Sequence, residues 1–189
     1  SRCGLQGSHH KHVTDLSMVI FDSISNLHFK PHELTQYRRI LKSAAYLHEV
    51  GKFISEPQFH KHSMYLISNS RIPGFMEWER NLMGLIARYQ RKKIPSEDSK
   101  DCKRLSKKHL NNLVFLSGVL RLATSLDRSR QSKIAGIKVV CNDDQIDLHL
   151  TLAKDRKGMV ELHKATLEKA NIEASLGKEI NFIVEKQAT

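Results

Sequence analysis

Apolar residues recur every three or four positions over most of residues 12–129, which is the pattern of amphipathic helices. The pattern predicts five helices, over residues 12–28, 31–50, 60–70, 78–91 and 110–129. Gly51 and the pair Pro73 and Gly74 end the second and third of them. The fifth helix is the most apolar, so we place it at the centre of a helical domain over residues 1–132.

The pattern changes at residue 134, where apolar and polar residues begin to alternate. Two alternating runs flank an Asn-Asp-Asp turn at residues 142–144 and predict a β-hairpin. We predict a third strand over residues 159–164, a helix over residues 165–177 and a last strand over residues 180–186. The expected fold class is mainly α, with the helical domain followed by a small α+β module (ββ-β-α-β) over residues 133–189.

Charge distinguishes the helical part from this module. The chain has 31 Lys and Arg residues against 20 Asp and Glu, a formal net charge of +11. Basic and acidic residues balance from residue 133 onward, so the helical part carries the whole excess. A segregated positive field favours a polyanionic partner, and an ordinary solvated basic face is the simpler alternative.

Residues 88–108, which join the fourth and fifth predicted helices, form the most basic segment, with nine basic residues against three acidic ones. We expect its cations to bind inorganic polyphosphate or a related phosphate polymer. Nucleic acid is less favoured, because Tyr89 is the lone aromatic residue of the segment that could stack on bases. The candidate contacts are Arg88, Arg91, Lys92, Lys93, Lys103, Arg104, Lys107 and Lys108.

The sequence contains neither a run of about 18 apolar residues, which a membrane helix needs, nor the apolar core of a secretory signal. Its three cysteines lie far apart, which predicts reduced thiols rather than a disulfide framework. We therefore expect a cytoplasmic protein without a membrane partner. Because the chain begins without Met, we also expect an excised C-terminal piece of a longer protein.

Histidines and carboxylates lie near the ends of the predicted helices, where six of them are candidate metal ligands. They are His12, His48, Glu49, His60, His62 and Asp127. Imidazoles and carboxylates from separate helices can hold one divalent ion and leave positions for water and a phosphate. Asp127 lies near a helix C-terminus, where a carboxylate is costly unless it is paired or ligating. The alternative is a buried, hydrogen-bonded pair of His48 and Glu49.

The order of these candidates resembles the ligand order of HD-type phosphohydrolases, so the helical domain is expected to be HD-like. Four phrases resemble the C-terminal part of the exopolyphosphatase/guanosine pentaphosphate phosphatase (Ppx/GppA) family: LKSAAYLHEVG, FHKHSMYLISNSRIPGF, LIARYQRKKIP and VLRLATSLDRSRQ. The resemblance implies a parent hydrolase whose phosphatase chemistry belongs to N-terminal actin-like domains that are absent from this chain. It implies no catalytic residue here, and it implies roles in polyphosphate binding and homodimer assembly.

Two positions depart from these patterns. Glu49 stands where many HD domains have Asp, and Gln90 stands where the family commonly reads ARYHRK. Both changes count against a tight binuclear metal centre. Two functions stay open: an accessory binding and assembly domain, and a metal-dependent HD phosphohydrolase that acts on a nucleotide or phosphoester through one weakly held ion.

Overall fold

The computed structural model describes residues 7–91, 93–154 and 157–185, with the side chains of residues 7 and 8 left out. Within these ranges the helices are α1 (Gly7–Ile24), α2 (Pro31–Leu47), α3 (Phe59–Asn69), α4 (Glu77–Tyr89), α5 (Lys107–Leu126), α6 (Met159–Glu168) and α7 (Ala170–Leu176). The strands are β1 (Ile134–Cys141), β2 (Gln145–Leu152) and β3 (Glu179–Glu185). The predicted class, mainly α with a small α+β module, is confirmed.

Local capping explains where the longer helices begin. Pro31 occupies the first turn of α2, where its missing N–H costs nothing. Glu79 accepts a hydrogen bond of 2.8 Å from the backbone N–H of Met76 at the start of α4. The hydroxyl of Ser106 accepts from the backbone N–H of His109 at the start of α5. These side chains satisfy N–H groups that the first helical turn leaves without a partner.

Helix α5 lies at the centre of the core, as its apolar sequence predicts. Leu113, Leu116 and Leu120 on this helix are completely buried. Residues of α1, such as Ile20, and of α2, such as Leu41, belong to the same continuous cluster of buried apolar residues. Because α5 is buried from Phe115 to Leu126 apart from the half-buried Thr124, its C-terminal end places Asp127 in the interior of the protein.

The three strands form one sheet in the order β1-β2-β3. Strands β1 and β2 pair antiparallel as the predicted hairpin, whereas β2 and β3 pair in parallel, with Ile146 opposite Ile180. A parallel pair needs a crossover connection, and α6 and α7 supply it here.

The strand predicted over residues 159–164 is wrong, because these residues form the first part of α6. Glu161 and Ala165, four positions apart, are buried, whereas Met159 and Val160 are exposed. Spacing by four is helical, and the buried Glu161 carboxylate accepts a hydrogen bond from the backbone N–H of Ser129.

The sheet shares the core of the helical part. Leu148 and Leu150 on β2 and Ile172 on α7 belong to the same buried cluster as α5. The division of the chain at residue 133 therefore stays a prediction about its organisation. None of the helices in the described ranges combines the length and apolar character needed to cross a membrane.

Candidate functional site

A cavity of about 540 Å³ opens between the start of α1, the ends of α2, α4 and α5, and one side of α6. Charged side chains of both signs line it. Its cations are Lys52, Arg91, Arg128, Arg130 and Lys164, and its carboxylates are Glu49, Glu56, Asp127 and Glu168. The aromatic ring of Phe59 holds two of the cations, since Lys52 Nζ lies 4.9 Å and Arg91 Cζ lies 5.2 Å from its centre.

Three buried side chains meet at the inner end of this cavity. His9, His48 and Glu49 each offer one ligand atom, and these atoms lie within 4.8 Å of one another. Nε2 of His9 lies 4.0 Å from Oε2 of Glu49. These three residues have the spacing of a metal site. Within the described ranges, no other group of three or more His, Cys, Asp or Glu residues has this spacing.

Hydrogen bonds through Nδ1 fix the imidazole rings of His9 and His48, so that Nε2 of each ring faces away from its hydrogen-bond partner. His9 Nδ1 lies 2.7 Å from the Asp127 carboxylate, which is completely buried. His48 Nδ1 lies 2.6 Å from the carbonyl oxygen of Ala45. Because a carbonyl oxygen only accepts, Nδ1 of His48 carries the proton and Nε2 is left with a free electron pair. An imidazole oriented by a carboxylate or carbonyl is the usual arrangement of a metal-ligating histidine.

Two atoms of this group are buried without a hydrogen-bond partner among the described residues. They are Nε2 of His48 and Oε2 of Glu49. The other oxygen of Glu49 is held by Lys52 at 2.9 Å and by Arg130. A buried polar atom without a partner costs about 1–3 kcal/mol. A divalent cation would satisfy both atoms, so these residues fit a metal ion with two His and one carboxylate as ligands.

Both residues of the His48–Glu49 pair are in the protonation states that a bound metal ion would require. Burial lowers the pKa of His48 to about 3, so its imidazole is neutral at pH 7. Burial alone would raise the pKa of Glu49, but His48, Lys52 and Arg130 bring it down to about 2. A neutral imidazole therefore stands beside an ionised carboxylate over the whole physiological range.

The structure brings together three of the predicted candidates, His48, Glu49 and Asp127. Asp127 is the hydrogen-bond partner of His9 and does not belong to the ligand group. The other three predicted ligands lie elsewhere. His12 is half-buried one turn further along α1, His60 is buried in α3, and His62 is half-buried. None of these three lines the cavity.

Sequence reasoning missed His9 and its neighbour His10. His10 is also buried, and its Nε2 lies 3.9 Å from Glu49. The predicted first helix began at His12, whereas α1 begins at Gly7 and carries both residues on its first turns. The sequence signal for these residues was the run SHHKH, which has three histidines in four positions. Helical periodicity alone does not show which of the three histidines faces inward.

Gln90, the position that departs from the family pattern, also lines the cavity. Its side-chain amide donates a 2.9 Å hydrogen bond to the carbonyl oxygen of His48. Gln90 therefore holds the backbone that carries His48 and Glu49, and it is not a member of the ligand group.

The predicted polyanion contacts differ in how far their charge is compensated. Arg91 lines the cavity. Arg88 pairs with Asp101 at 3.4 Å, and Lys108 pairs with Glu33 at 2.6 Å. Lys92 lies outside the described residues. The remaining candidates are exposed and form no ion pair within the described ranges, and we name them the loop cations: Lys93, Lys103, Arg104 and Lys107.

Comparison with known proteins gives consistent matches. The family model described as Ppx/GppA phosphatase, domain III, matches residues 5–174. The chain is 27% identical over 186 residues to a protein of Vibrio vulnificus (strain YJ016) named guanosine-5'-triphosphate,3'-diphosphate pyrophosphatase, covering 96% of this chain and 34% of that relative. A protein of the same name from Vibrio atlanticus (strain LGP32) is 30% identical over 146 residues, covering 76% of this chain and 28% of the relative.

A third protein of that name, from Pseudoalteromonas translucida (strain TAC 125), is 26% identical over 111 residues, covering 58% of this chain and 21% of the relative. The chain thus spans between about a fifth and a third of the length of these relatives.

Proposed function

This chain belongs to the Ppx/GppA phosphatase family, and we propose that it is a C-terminal accessory part of a phosphohydrolase acting on polyphosphate or guanosine-5'-triphosphate,3'-diphosphate. In this proposal the catalytic actin-like domains lie outside the chain. The chain itself binds the phosphate polymer and contributes to a homodimer in the cytoplasm. The names of the relatives support the substrate class, and the free thiols of Cys102 and Cys141 are in keeping with a reducing compartment.

The observation that carries the proposal is the uncompensated charge of the loop cations. All four are exposed, and none has an acidic partner within the described ranges. Exposed cations without partners bind a polyanion at little cost, because no ion pair has to be broken and counterions are released from the polymer.

Arg91 lies two residues before Lys93 and two residues after the end of α4, and it lines the cavity beside Phe59. A phosphate chain bound at Lys93 and Arg91 would therefore meet the cations of the cavity. Guanidinium groups such as that of Arg91 suit this contact, since they bind two phosphate oxygens at once.

Competition between polyanions at one salt concentration tests the proposal. Labelled long-chain polyphosphate is bound to the chain, and unlabelled polyphosphate or single-stranded DNA of matched phosphate content is added while fluorescence anisotropy is recorded. We expect polyphosphate to displace the label at lower concentration, because the loop has one aromatic residue for base stacking. Equal or better displacement by DNA would favour a nucleic-acid-binding function instead.

The orphaned atoms of His48 and Glu49 favour a second candidate, a metal-dependent phosphoester hydrolase. His9, His48 and Glu49 would hold the ion, and Asp127 would orient His9. A divalent ion bound there would supply Lewis-acid polarisation of a phosphoryl oxygen. The chain's own cations at the cavity, Arg128 among them, would bind and orient the phosphate.

Metal content separates the two candidates. We expect His48→Ala to abolish transition-metal uptake and Asp127→Asn to weaken it by about 10- to 100-fold, since the amide no longer fixes the His9 tautomer. Elemental analysis of protein purified without chelator, with a zinc titration, measures this. His62→Ala is the matched control, because His62 is a histidine outside the group, and it should retain the metal. Loss of metal in all three variants, or absence of metal from the unaltered protein, would contradict the metal site. The group of His9, His48 and Glu49 would then serve only to stabilise the fold.

A further inference from the structure

A second arrangement of buried charge lies beside the cavity, next to Gln90. Arg121, in the C-terminal half of α5, is 4% exposed. Its Nε lies 3.2 Å from a carboxylate oxygen of Glu168 and 3.4 Å from the carbonyl oxygen of Gln90. Its Nη2 is buried and has no hydrogen-bond partner among the described residues. Glu168 and Gln90 both line the cavity, so Arg121 lies immediately behind the cavity wall.

The charge of Arg121 is only partly compensated. Burial lowers the pKa of its guanidinium and Glu168 acts in the opposite direction, with the net shift downward. A guanidinium has five N–H donors, and the contacts of Arg121 through Nε leave Nη2 free for another acceptor. Leaving a charged donor of this kind unsatisfied is costly, which makes the position a candidate anion site.

Glu168 occupies this position as an internal anion. One of its carboxylate oxygens contacts Arg121, and the other lies 2.5 Å from Nζ of Lys164, which also lines the cavity. Glu168 is the last residue of α6. Its side chain is 21% exposed and can turn into the cavity opening.

From this geometry we propose that Arg121 and Lys164 form a phosphate subsite, which the Glu168 carboxylate occupies in the absence of ligand. The terminal phosphate of a phosphate chain binds there by displacing the Glu168 carboxylate. A terminal phosphate carries up to two negative charges and three acceptor oxygens, so it can satisfy Nη2 as well as Nε of Arg121 and still contact Lys164. The inference deepens the proposed function and rests on it, since it identifies where a bound phosphate chain ends.

Calorimetric titration with inorganic pyrophosphate at low ionic strength tests the subsite in the 189-residue chain. We expect Glu168→Gln to tighten pyrophosphate binding by about tenfold, because the variant removes the competing carboxylate and keeps the size of the side chain. Lys164→Met should weaken binding by about tenfold, because it removes one of the two cations.

Glu56→Gln is the matched control for these variants. Glu56 also lines the cavity, but it pairs with Lys52 and not with Arg121, so this variant removes the same charge without clearing the subsite. Thermal unfolding of each variant verifies that it is folded. Arg121 is left unchanged, because replacing a buried arginine of α5 would disturb the core.

The outcomes separate this inference from the proposed function. Tighter binding in Glu168→Gln alone supports the subsite. Equal tightening in Glu168→Gln and Glu56→Gln overturns it in favour of a general charge effect. Absence of pyrophosphate binding in both the unaltered chain and Glu168→Gln, with long-chain polyphosphate still bound, overturns the subsite and spares the proposed function. Tightening in Glu168→Gln without any binding of long-chain polyphosphate supports the subsite and contradicts the polymer-binding role.

Discussion

Reversing the charge of all four loop cations to Glu is expected to weaken long-chain polyphosphate binding by about a hundredfold or more at 50 mM salt. Each exposed cation that contacts a phosphate releases about one counterion, so the logarithm of the affinity falls steeply with the logarithm of salt concentration. The variant should flatten this slope by roughly three. Because the four side chains form no ion pair within the described ranges, its thermal unfolding midpoint should stay close to that of the unaltered protein.

A control with the same change in net charge is needed for this experiment. Four lysines that are exposed and equally unpaired in the described ranges lie away from the basic segment, and they are Lys42, Lys61, Lys154 and Lys157. Reversing these four to Glu should weaken binding only a few-fold, through the overall field of the protein. If both variants lose affinity to the same extent, the loop cations are not the binding surface and net charge alone attracts the polymer.

Gly51→Ala is expected to destabilise the protein by about 3 kcal/mol or more, or to prevent folding. Gly51 lies in the turn after Glu49, where the chain presses against the first turns of α3. An added Cβ would lie 2.1 Å from the carbonyl oxygen of Phe59 and 2.3 Å from the backbone nitrogen of Ser63. Both are backbone atoms of a helix, so they cannot turn aside as a side chain would.

The Gly51 variant also bears on the site. The backbone N–H of Gly51 donates a 2.9 Å hydrogen bond to the hydroxyl of Ser63, which ties the turn carrying Glu49 to α3. Urea-induced unfolding measures the loss of stability. Gly136→Ala is the control, since the nearest atom to an added Cβ there is Thr151 Cβ at 4.0 Å, and we expect a change within about 0.5–1 kcal/mol. A loss in Gly51→Ala no larger than in this control would contradict the close packing of turn and helix.

Much of the helical part followed from the sequence because its signals are local. The apolar run that became α5 predicted both its helical form and its central position, and from Phe115 to Leu126 every residue except the half-buried Thr124 is buried. The cost of a carboxylate at the end of that helix predicted that Asp127 is paired or ligating, and its carboxylate lies 2.7 Å from Nδ1 of His9. The strand predicted over residues 159–164 failed because six residues contain too few turns to distinguish alternation from helical spacing.

By itself the sequence determined the class of the fold, the family and the segregation of positive charge. It also determined that His48 and Glu49 lie at the end of a helix. Each of these features depends on composition or on residues near one another in the chain. Only the tertiary structure decided that His9 rather than His12 joins them. His9 meets Asp127, 118 positions away, because α1 and α5 pack together with particular turns facing. The same packing decided that Glu168 of α6 covers Arg121 of α5. Contacts of this kind depend on the relative rotation of whole helices, which no local pattern of residues specifies.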